Sequence, residues 1–178
     1  MIHDRNLLDR LEAFAPISFD GEAFRTTRLG LDPLTGSFAG GRWAPRDTTQ
    51  VLYTSVERNG ALAEITFHLT QLSPPPSKPI MVHRLRTTAR ATVRLLRADL
   101  EVLGVDGPGY ESMNYGRTQA IGAAVAFLGC DGLIEPSARW NCENLVMFLD
   151  NHRLHQVLEV EQSEEVDWLA WAKKHGRL

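Results

Sequence analysis

The alternation of apolar and polar positions predicts short strands interrupted by a few helices. Apolar residues recur at helical spacing in three segments, which predicts helices over residues 5–14, 57–72 and 117–129. Runs that are β-branched, aromatic or alternately apolar predict strands over residues 22–29, 51–55, 80–86, 91–97, 132–137, 143–150 and 155–162. We also expect a helical turn over 97–104, a polar loop over 104–116, and a closing helix that carries Trp168 and Trp171.

The order of these elements predicts an α+β fold. The strands do not alternate regularly with helices, as they do in doubly wound parallel folds. Neither of two glycine-rich phosphate motifs, GxGxxG and GxxxxGKS/T, occurs in the chain. A length of 178 residues suits one domain with a sizeable core, so we expect residues 1–178 to form a single compact domain.

Composition excludes several classes of protein. The 19 Lys and Arg residues against 22 Asp and Glu give a net charge of −3, which argues against a surface that binds a nucleic-acid backbone. The two cysteines, Cys130 and Cys142, lack the spacing of a zinc site and are too few for a disulfide scaffold, so we expect no metal. No apolar stretch approaches the ~20 residues of a membrane span and no signal segment is visible, so we expect a cytoplasmic protein.

The irregular segment between residues 30 and 45 holds the first candidate for chemistry. It is rich in glycine, but Phe38 and Trp43 argue against a disordered linker. Two consecutive glycines precede Arg42, which lets the backbone approach a ligand closely. The guanidinium then offers a rigid fork of donors to phosphate or carboxylate oxygens.

Three further residues extend this candidate site. Tyr53 lies in the strand that follows and offers an aromatic face. Glu64 lies in the apolar start of the next helix, where a partly buried carboxylate needs partners such as arginines. Ser137 follows a proline where a strand gives way to a loop, and its hydroxyl is free to hydrogen-bond. Together these residues indicate an anionic ligand that contains a ring.

Each of these residues also has a structural explanation. Arg42 and Glu64 form a structural ion pair in one interpretation, and Tyr53 is then an ordinary core residue. A serine after a proline is commonly a turn residue, as Ser137 would be. The two arginines of the 22–29 segment would face solvent. The residue pattern alone leaves these alternatives open.

Six motifs, in order and at appropriate separations, make the chain resemble the RES-domain family from about residue 22 to 160. They are GGRW (40–43), LYTS (52–55), ALAE (61–64), TQAIG (118–122), DGLIEPSAR (131–139) and ENLVMF (143–148). The resemblance implies an ADP-ribosyltransferase-like fold with a mixed, mainly antiparallel β core and flanking helices. It also implies a toxin of a type II toxin–antitoxin system that consumes NAD⁺ as its substrate and needs no metal.

The family is named for an Arg, a Glu and a Ser, which match Arg42, Glu64 and Ser137. The resemblance implies that Arg42 holds pyrophosphate or ribose oxygens. It implies that Glu64 stabilises the positive charge that develops on the ribose, and that Ser137 orients the ribose or Glu64. These three residues are the expected catalytic set.

The same resemblance implies four residues that bind the dinucleotide. Tyr53 is expected to pack against the nicotinamide ring, and Arg139 to add a cation to an anion pocket. Either Arg25 or Arg28 is expected to contact a phosphate. Ala44 stands where the family often has Asn, so a side-chain contact from that position is lacking.

The resemblance also implies an acceptor for ADP-ribose and a protein partner. Some family members are NAD⁺ phosphorylases, whereas the ParT-like branch transfers ADP-ribose to phosphoribosyl pyrophosphate synthetase. The expected partner is an antitoxin that combines an Xre-like helix-turn-helix with a segment that covers the pocket; no membrane or direct nucleic-acid partner is expected. The alternative is an RNA-directed toxin, or a non-catalytic binding module, on the same fold.

Overall fold

Helices and strands are mixed along the chain, as the α+β prediction requires. The computed structural model describes residues 3–178. The helices are α1 (Arg5–Glu12), α2 (Arg58–Thr70), α3 (Arg97–Val102), α4 (Gly107–Glu111), α5 (Gly116–Phe127) and α6 (Trp168–Lys174). The strands are β1 (Ile17–Arg28), β2 (Val51–Ser55), β3 (Ile80–Arg94), β4 (Gly132–Pro136), β5 (Glu143–Phe148) and β6 (Leu158–Val166). Within residues 3–178, no helix combines the length and apolar character needed to cross a membrane.

The strands form one sheet in the order β1-β2-β5-β4-β3-β6. β1 also pairs with β3 along most of its length, from Ile17 opposite Thr92 to Arg28 opposite Ile80. Because of this pairing, the strands β1, β2, β5, β4 and β3 form a closed ring. Among the pairings of the described residues, β3 and β4 run parallel and the other five are antiparallel. The prediction of a mixed, mainly antiparallel core is confirmed.

The prediction of two strands over 80–86 and 91–97 is wrong, because residues 80–94 form the single strand β3 and residue 97 already begins α3. The residues between them continue the pairing with β1, so the backbone stays extended where the local pattern weakens. β6 lies along the other edge of β3, and it begins at Leu158 rather than at residue 155. Long-range pairing, rather than local periodicity, fixes these boundaries.

The polar loop predicted over 104–116 contains the short helix α4. The side chain of Asp106 caps it by accepting a hydrogen bond from the N–H of Gly109 at 2.7 Å. This helix carries Tyr110, which is buried in the largest apolar cluster. The loop is therefore folded against the core, close to the candidate site.

Helix α5 fixes the position of the glycine-rich segment. Ile121, Ala124 and Val125 belong to the same buried cluster as Trp43. Gly122 lies against the backbone of Trp43, and a Cβ added there would stand 1.8 Å from the Trp43 carbonyl oxygen. The close approach of helix and turn therefore depends on a glycine, and it anchors the residue next to Arg42.

Candidate active site

A cavity of about 290 Å³ opens where β1, β2 and α2 meet the turn that contains Arg42. Five of the residues expected to bind or act on a ligand line it: Arg25, Arg42, Tyr53, Glu64 and Arg139. Ser137 is buried beside the cavity and donates a hydrogen bond from Oγ to Glu64 Oε1 at 2.7 Å. The structure therefore brings together residues that are more than 100 positions apart in the sequence.

The two arginines of β1 have different positions. Arg25 and Arg28 are three residues apart, so in a strand they point to opposite faces. Arg25 lines the cavity, and one of its Nη atoms donates to the carbonyl oxygen of Thr35 at 3.0 Å. Arg28 is exposed at the end of the strand and lies outside the cavity lining. Strand geometry thus places Arg25 at the cavity and leaves Arg28 outside its lining.

A tight turn and two tyrosine rings hold the Arg42 side chain. The turn is closed by a hydrogen bond from the N–H of Gly41 to the carbonyl oxygen of Ala44 at 2.9 Å. The guanidinium carbon lies 4.8 Å from the ring centre of Tyr110 and 4.7 Å from that of Tyr115, and one Nη donates to the Tyr110 carbonyl oxygen. Cation–π contacts and a hydrogen bond therefore orient Arg42 before any ligand binds.

Tyr53 supports the same turn from the neighbouring strand. Its hydroxyl accepts a hydrogen bond from the N–H of Trp43 at 3.2 Å. Burial raises the pKa of the Tyr53 hydroxyl to about 12, so the group stays protonated at neutral pH. A Cβ at Gly41 would lie 2.6 Å from this hydroxyl, which explains a glycine at that position. Tyr53 thus contributes its ring to the cavity and its hydroxyl to the shape of the turn.

The Glu64 carboxylate is fixed by one donor that directly follows β4 and another in β5. Its Oε1 accepts from Ser137 Oγ and, at 3.1 Å, from Asn144 Nδ2. Ser137 Oγ in turn accepts from the backbone N–H groups of Arg139 at 3.1 Å and Trp140 at 3.2 Å. These bonds orient the serine, and the serine orients Glu64, which is partly buried in the first turns of α2.

Arg42 and Glu64 are not an ion pair, although both line the cavity. The salt bridges among residues 3–178 include neither side chain. The structural ion pair considered from the sequence is therefore wrong. Both charged groups face the cavity without neutralising each other, which leaves them available to a ligand.

Arg25 and Arg139 present buried donors that need an acceptor. In the described part of the chain, one Nη of Arg25 and the Nε and one Nη of Arg139 have no hydrogen-bond partner. The Arg139 guanidinium carbon lies 3.4 Å from the ring centre of Phe67. Burial lowers the pKa of both arginines, and for Arg139 the nearby Arg42 charge adds to the effect. Both arginines line the cavity, so an anion bound there would offset the repulsion between Arg139 and Arg42.

Comparisons with known proteins show the family and the fold of the chain. The family model for the RES domain matches residues 22–169. The chain belongs to the RES-domain family. A search of curated proteins finds no match. Among solved structures, the fold is similar to that in the crystal structure of the M. tuberculosis MbcT–MbcA toxin–antitoxin complex. That similarity has a TM-score of 0.83 at 22% sequence identity, and it covers 96% of this chain and 97% of the other.

Sequence reasoning missed four residues that build the site of this RES domain. Tyr110 and Tyr115 lie in the segment predicted to be a polar loop, where two tyrosines in a long glycine-rich stretch were the available signal. Asn144 is hidden inside a strand motif. Glu135 is a carboxyl group in the otherwise apolar strand β4, and such a charge is itself a signal of a buried polar contact.

Proposed function

We propose that this RES domain is a toxin that cleaves the nicotinamide–ribose bond of NAD⁺ and transfers ADP-ribose to an acceptor. The observation that carries the proposal is the convergence of Arg25, Arg42 and Arg139 with one oriented carboxylate, Glu64, on a single cavity. Three cations suit a pyrophosphate, and a carboxylate suits a sugar that becomes cationic. Family membership supports the same reaction.

Glu64 has the central role in the proposed chemistry. Cleavage of a glycosidic bond passes through an oxocarbenium-like state with positive charge on the ribose. A carboxylate held in place before the reaction stabilises that charge without reorganisation, which is commonly the largest catalytic contribution. Ser137 and Asn144 supply the hydrogen bonds that hold it. Nicotinamide leaves as a neutral molecule, so the reaction does not need a strong general acid.

The remaining cavity residues bind and orient the dinucleotide in this proposal. Arg42, clamped between two tyrosine rings, holds ribose or pyrophosphate oxygens in one pose. Arg25 and Arg139 bring donors without protein partners to the phosphates. The Tyr53 ring packs against nicotinamide. A cavity of about 290 Å³ is at the small end of the usual range for ligand sites, so it suits the reacting half of NAD⁺.

The proposed acceptor is inorganic phosphate or a protein side chain, and product analysis distinguishes them. Phosphate gives ADP-ribose-1″-phosphate, water gives ADP-ribose, and a protein acceptor retains the label of radioactive NAD⁺. Phosphoribosyl pyrophosphate synthetase is the protein acceptor to test first. Mass spectrometry of the products with phosphate, without phosphate and with this enzyme identifies the acceptor.

The central test measures nicotinamide release by the purified, antitoxin-free protein. We expect Arg42→Ala and Glu64→Gln to lower the rate by ~10²–10³ and to abolish toxicity in cells, while both variants stay folded. Glu57→Gln is a matched control, because Glu57 is exposed at the start of the same helix and makes no capping bond. Absence of nicotinamide release under all acceptor conditions, with RNA cleaved instead, would support the alternative of an RNA-directed toxin.

We also propose a cognate antitoxin as the partner. The solved structure with the similar fold is that of a toxin–antitoxin complex. The proposed antitoxin has an Xre-like helix-turn-helix and a toxin-binding segment that covers the cavity. Its addition is expected to stop nicotinamide release in proportion to the fraction of toxin bound. Full activity in a saturated complex would contradict a segment that covers the cavity.

A further inference from the structure

A second buried carboxyl group lies behind Glu64. Glu135 is 2% exposed in strand β4, and the salt bridges of the described chain do not include it. Its Oε1 accepts from Asn144 Nδ2 at 3.0 Å, and the same Nδ2 donates to Glu64 Oε1 at 3.1 Å. One side-chain amide therefore uses its two N–H groups to connect two carboxyl groups.

The hydrogen bonds of the other oxygen, Oε2, indicate that the Glu135 carboxyl group is protonated. Glu135 Oε2 is hydrogen-bonded to the hydroxyl of Tyr110, and that hydroxyl also lies 2.6 Å from the carbonyl oxygen of Pro136. Tyr110 has a single hydroxyl proton, which cannot serve both acceptors. If Glu135 is protonated, it donates to the Tyr110 oxygen, and Tyr110 donates to Pro136. Glu135 Oε2, the Tyr110 hydroxyl and the Pro136 carbonyl oxygen then all have partners.

The electrostatic surroundings favour the same protonation state. Burial raises the pKa of Glu135 to about 7, and the Glu64 charge adds to this effect. When Glu135 is ionised, hydrogen bonds donated by Tyr110 and Asn144 favour the carboxylate, but they lower the pKa only in part. Arg42 and Arg97 stack on the Tyr110 ring, with guanidinium carbons 4.8 Å and 4.7 Å from its centre, and neither forms a salt bridge with Glu135.

We propose that Glu135, as a neutral carboxylic acid, is a positioning residue that fixes Asn144 and thereby holds Glu64 in its orientation toward the cavity. The inference deepens the proposed NAD⁺ cleavage and rests on it for its kinetic consequences. Glu135 is among the residues that line the cavity, but its connection to Glu64 runs through the Asn144 amide. A neutral acid also avoids a second buried charge beside Glu64.

Two substitutions separate positioning from charge. Glu135→Gln keeps the size of the side chain, accepts from Asn144 and donates to Tyr110, so we expect kcat within about twofold of the wild-type value. Glu135→Ala removes both bonds, and we expect kcat to fall at least ~10-fold with an unchanged KM for NAD⁺. An equal fall in kcat in both variants, or an unchanged kcat in Glu135→Ala, would overturn the proposal.

Asp131 provides the matched control. It is also a buried carboxylate, 3% exposed, and it accepts from the N–H groups of Arg90 and Ala91 and from Gln156, away from the cavity lining. We expect Asp131→Asn to lower stability and leave kcat unchanged. A fall in kcat equal to that of Glu135→Ala would reduce the role of Glu135 to general stability and overturn the proposal.

Two spectroscopic measurements decide the inference even if the alanine variant does not fold or the wild type releases no nicotinamide. We expect the infrared band of a protonated carboxyl group at pH 5, its loss as the pH rises through about 7, and its absence in Glu135→Gln. We expect the Asn144 side-chain amide protons to exchange slowly with solvent in the wild type and in Glu135→Gln. Absence of the carboxyl band at pH 5, or rapid amide exchange in the wild type, would overturn the proposal independently of the reaction.

Discussion

Glu135 predicts an unusual dependence of stability on pH. Most buried carboxylates in proteins are paired, and they lose stability in acid. The contribution of Glu135 to stability depends on pH in the opposite direction, because burial raises its pKa above the ordinary value of 4.5. Replacing it by Gln keeps the side-chain volume and removes the titration. As the pH rises, the free energy of unfolding of the wild type is therefore expected to fall relative to that of Glu135→Gln.

The magnitude follows from the two pKa values. The folded protein holds the Glu135 proton up to a pKa of about 7, whereas the unfolded chain releases it near 4.5. The stabilising contribution is complete below the unfolded pKa and is lost as the pH rises through the folded one. Between pH 5 and pH 8 the expected loss is about 2–3 kcal/mol, at ~1.36 kcal/mol for each pKa unit.

Urea unfolding of both proteins at pH 5 and pH 8 measures this loss. The other titratable groups are common to wild type and Glu135→Gln, so their contributions cancel in the difference between the two proteins. A constant effect of the substitution on packing cancels as well. If both proteins change in stability by the same amount between the two pH values, Glu135 does not hold a proton in the folded state, and the reasoning is refuted.

Two further predictions concern residues that position the ligand and the turn. Arg25→Ala is expected to raise the KM for NAD⁺ by ~10-fold or more, because a charge-assisted hydrogen bond contributes ~1.5–3 kcal/mol. Arg28 is exposed outside the cavity lining, so the KM of Arg28→Ala is expected to stay within about twofold of the wild-type value. Equal KM values for the two variants would contradict the assignment. Gly122→Ala is expected to lower the free energy of unfolding by ~1–3 kcal/mol, because its Cβ would meet the Trp43 carbonyl oxygen at 1.8 Å. Gly107→Ala has open space, and an equal loss there, measured by urea unfolding, would show that the close contact is unimportant.

The sequence predicted well the elements whose pattern is local. β2 has the predicted bounds, and α2 differs from its predicted range by one or two residues at each end. Side-chain periodicity within one helix or strand carries that information. The boundaries of β3 and β6 depend on hydrogen bonds to distant strands, so no local window contained them.

Motif order also predicted which residues belong to one cavity. Arg42, Tyr53 and Glu64 lie within 23 positions of one another, in the turn, β2 and α2, and all three line it. The choice between Arg25 and Arg28 required knowing which face of β1 lies toward the cavity. Strand alternation separates the two residues, but only the tertiary structure shows which side is the inside.

The amino-acid order thus determined the class of fold, the family and the principal charged residues of this protein. The tertiary structure decided how those charges are held. Glu64 is oriented by Ser137 and Asn144, which follow it by 73 and 80 positions, and Asn144 is held by Glu135. Hydrogen bonds have a reach of about 3 Å, so contacts between residues so distant along the chain exist only after the sheet closes.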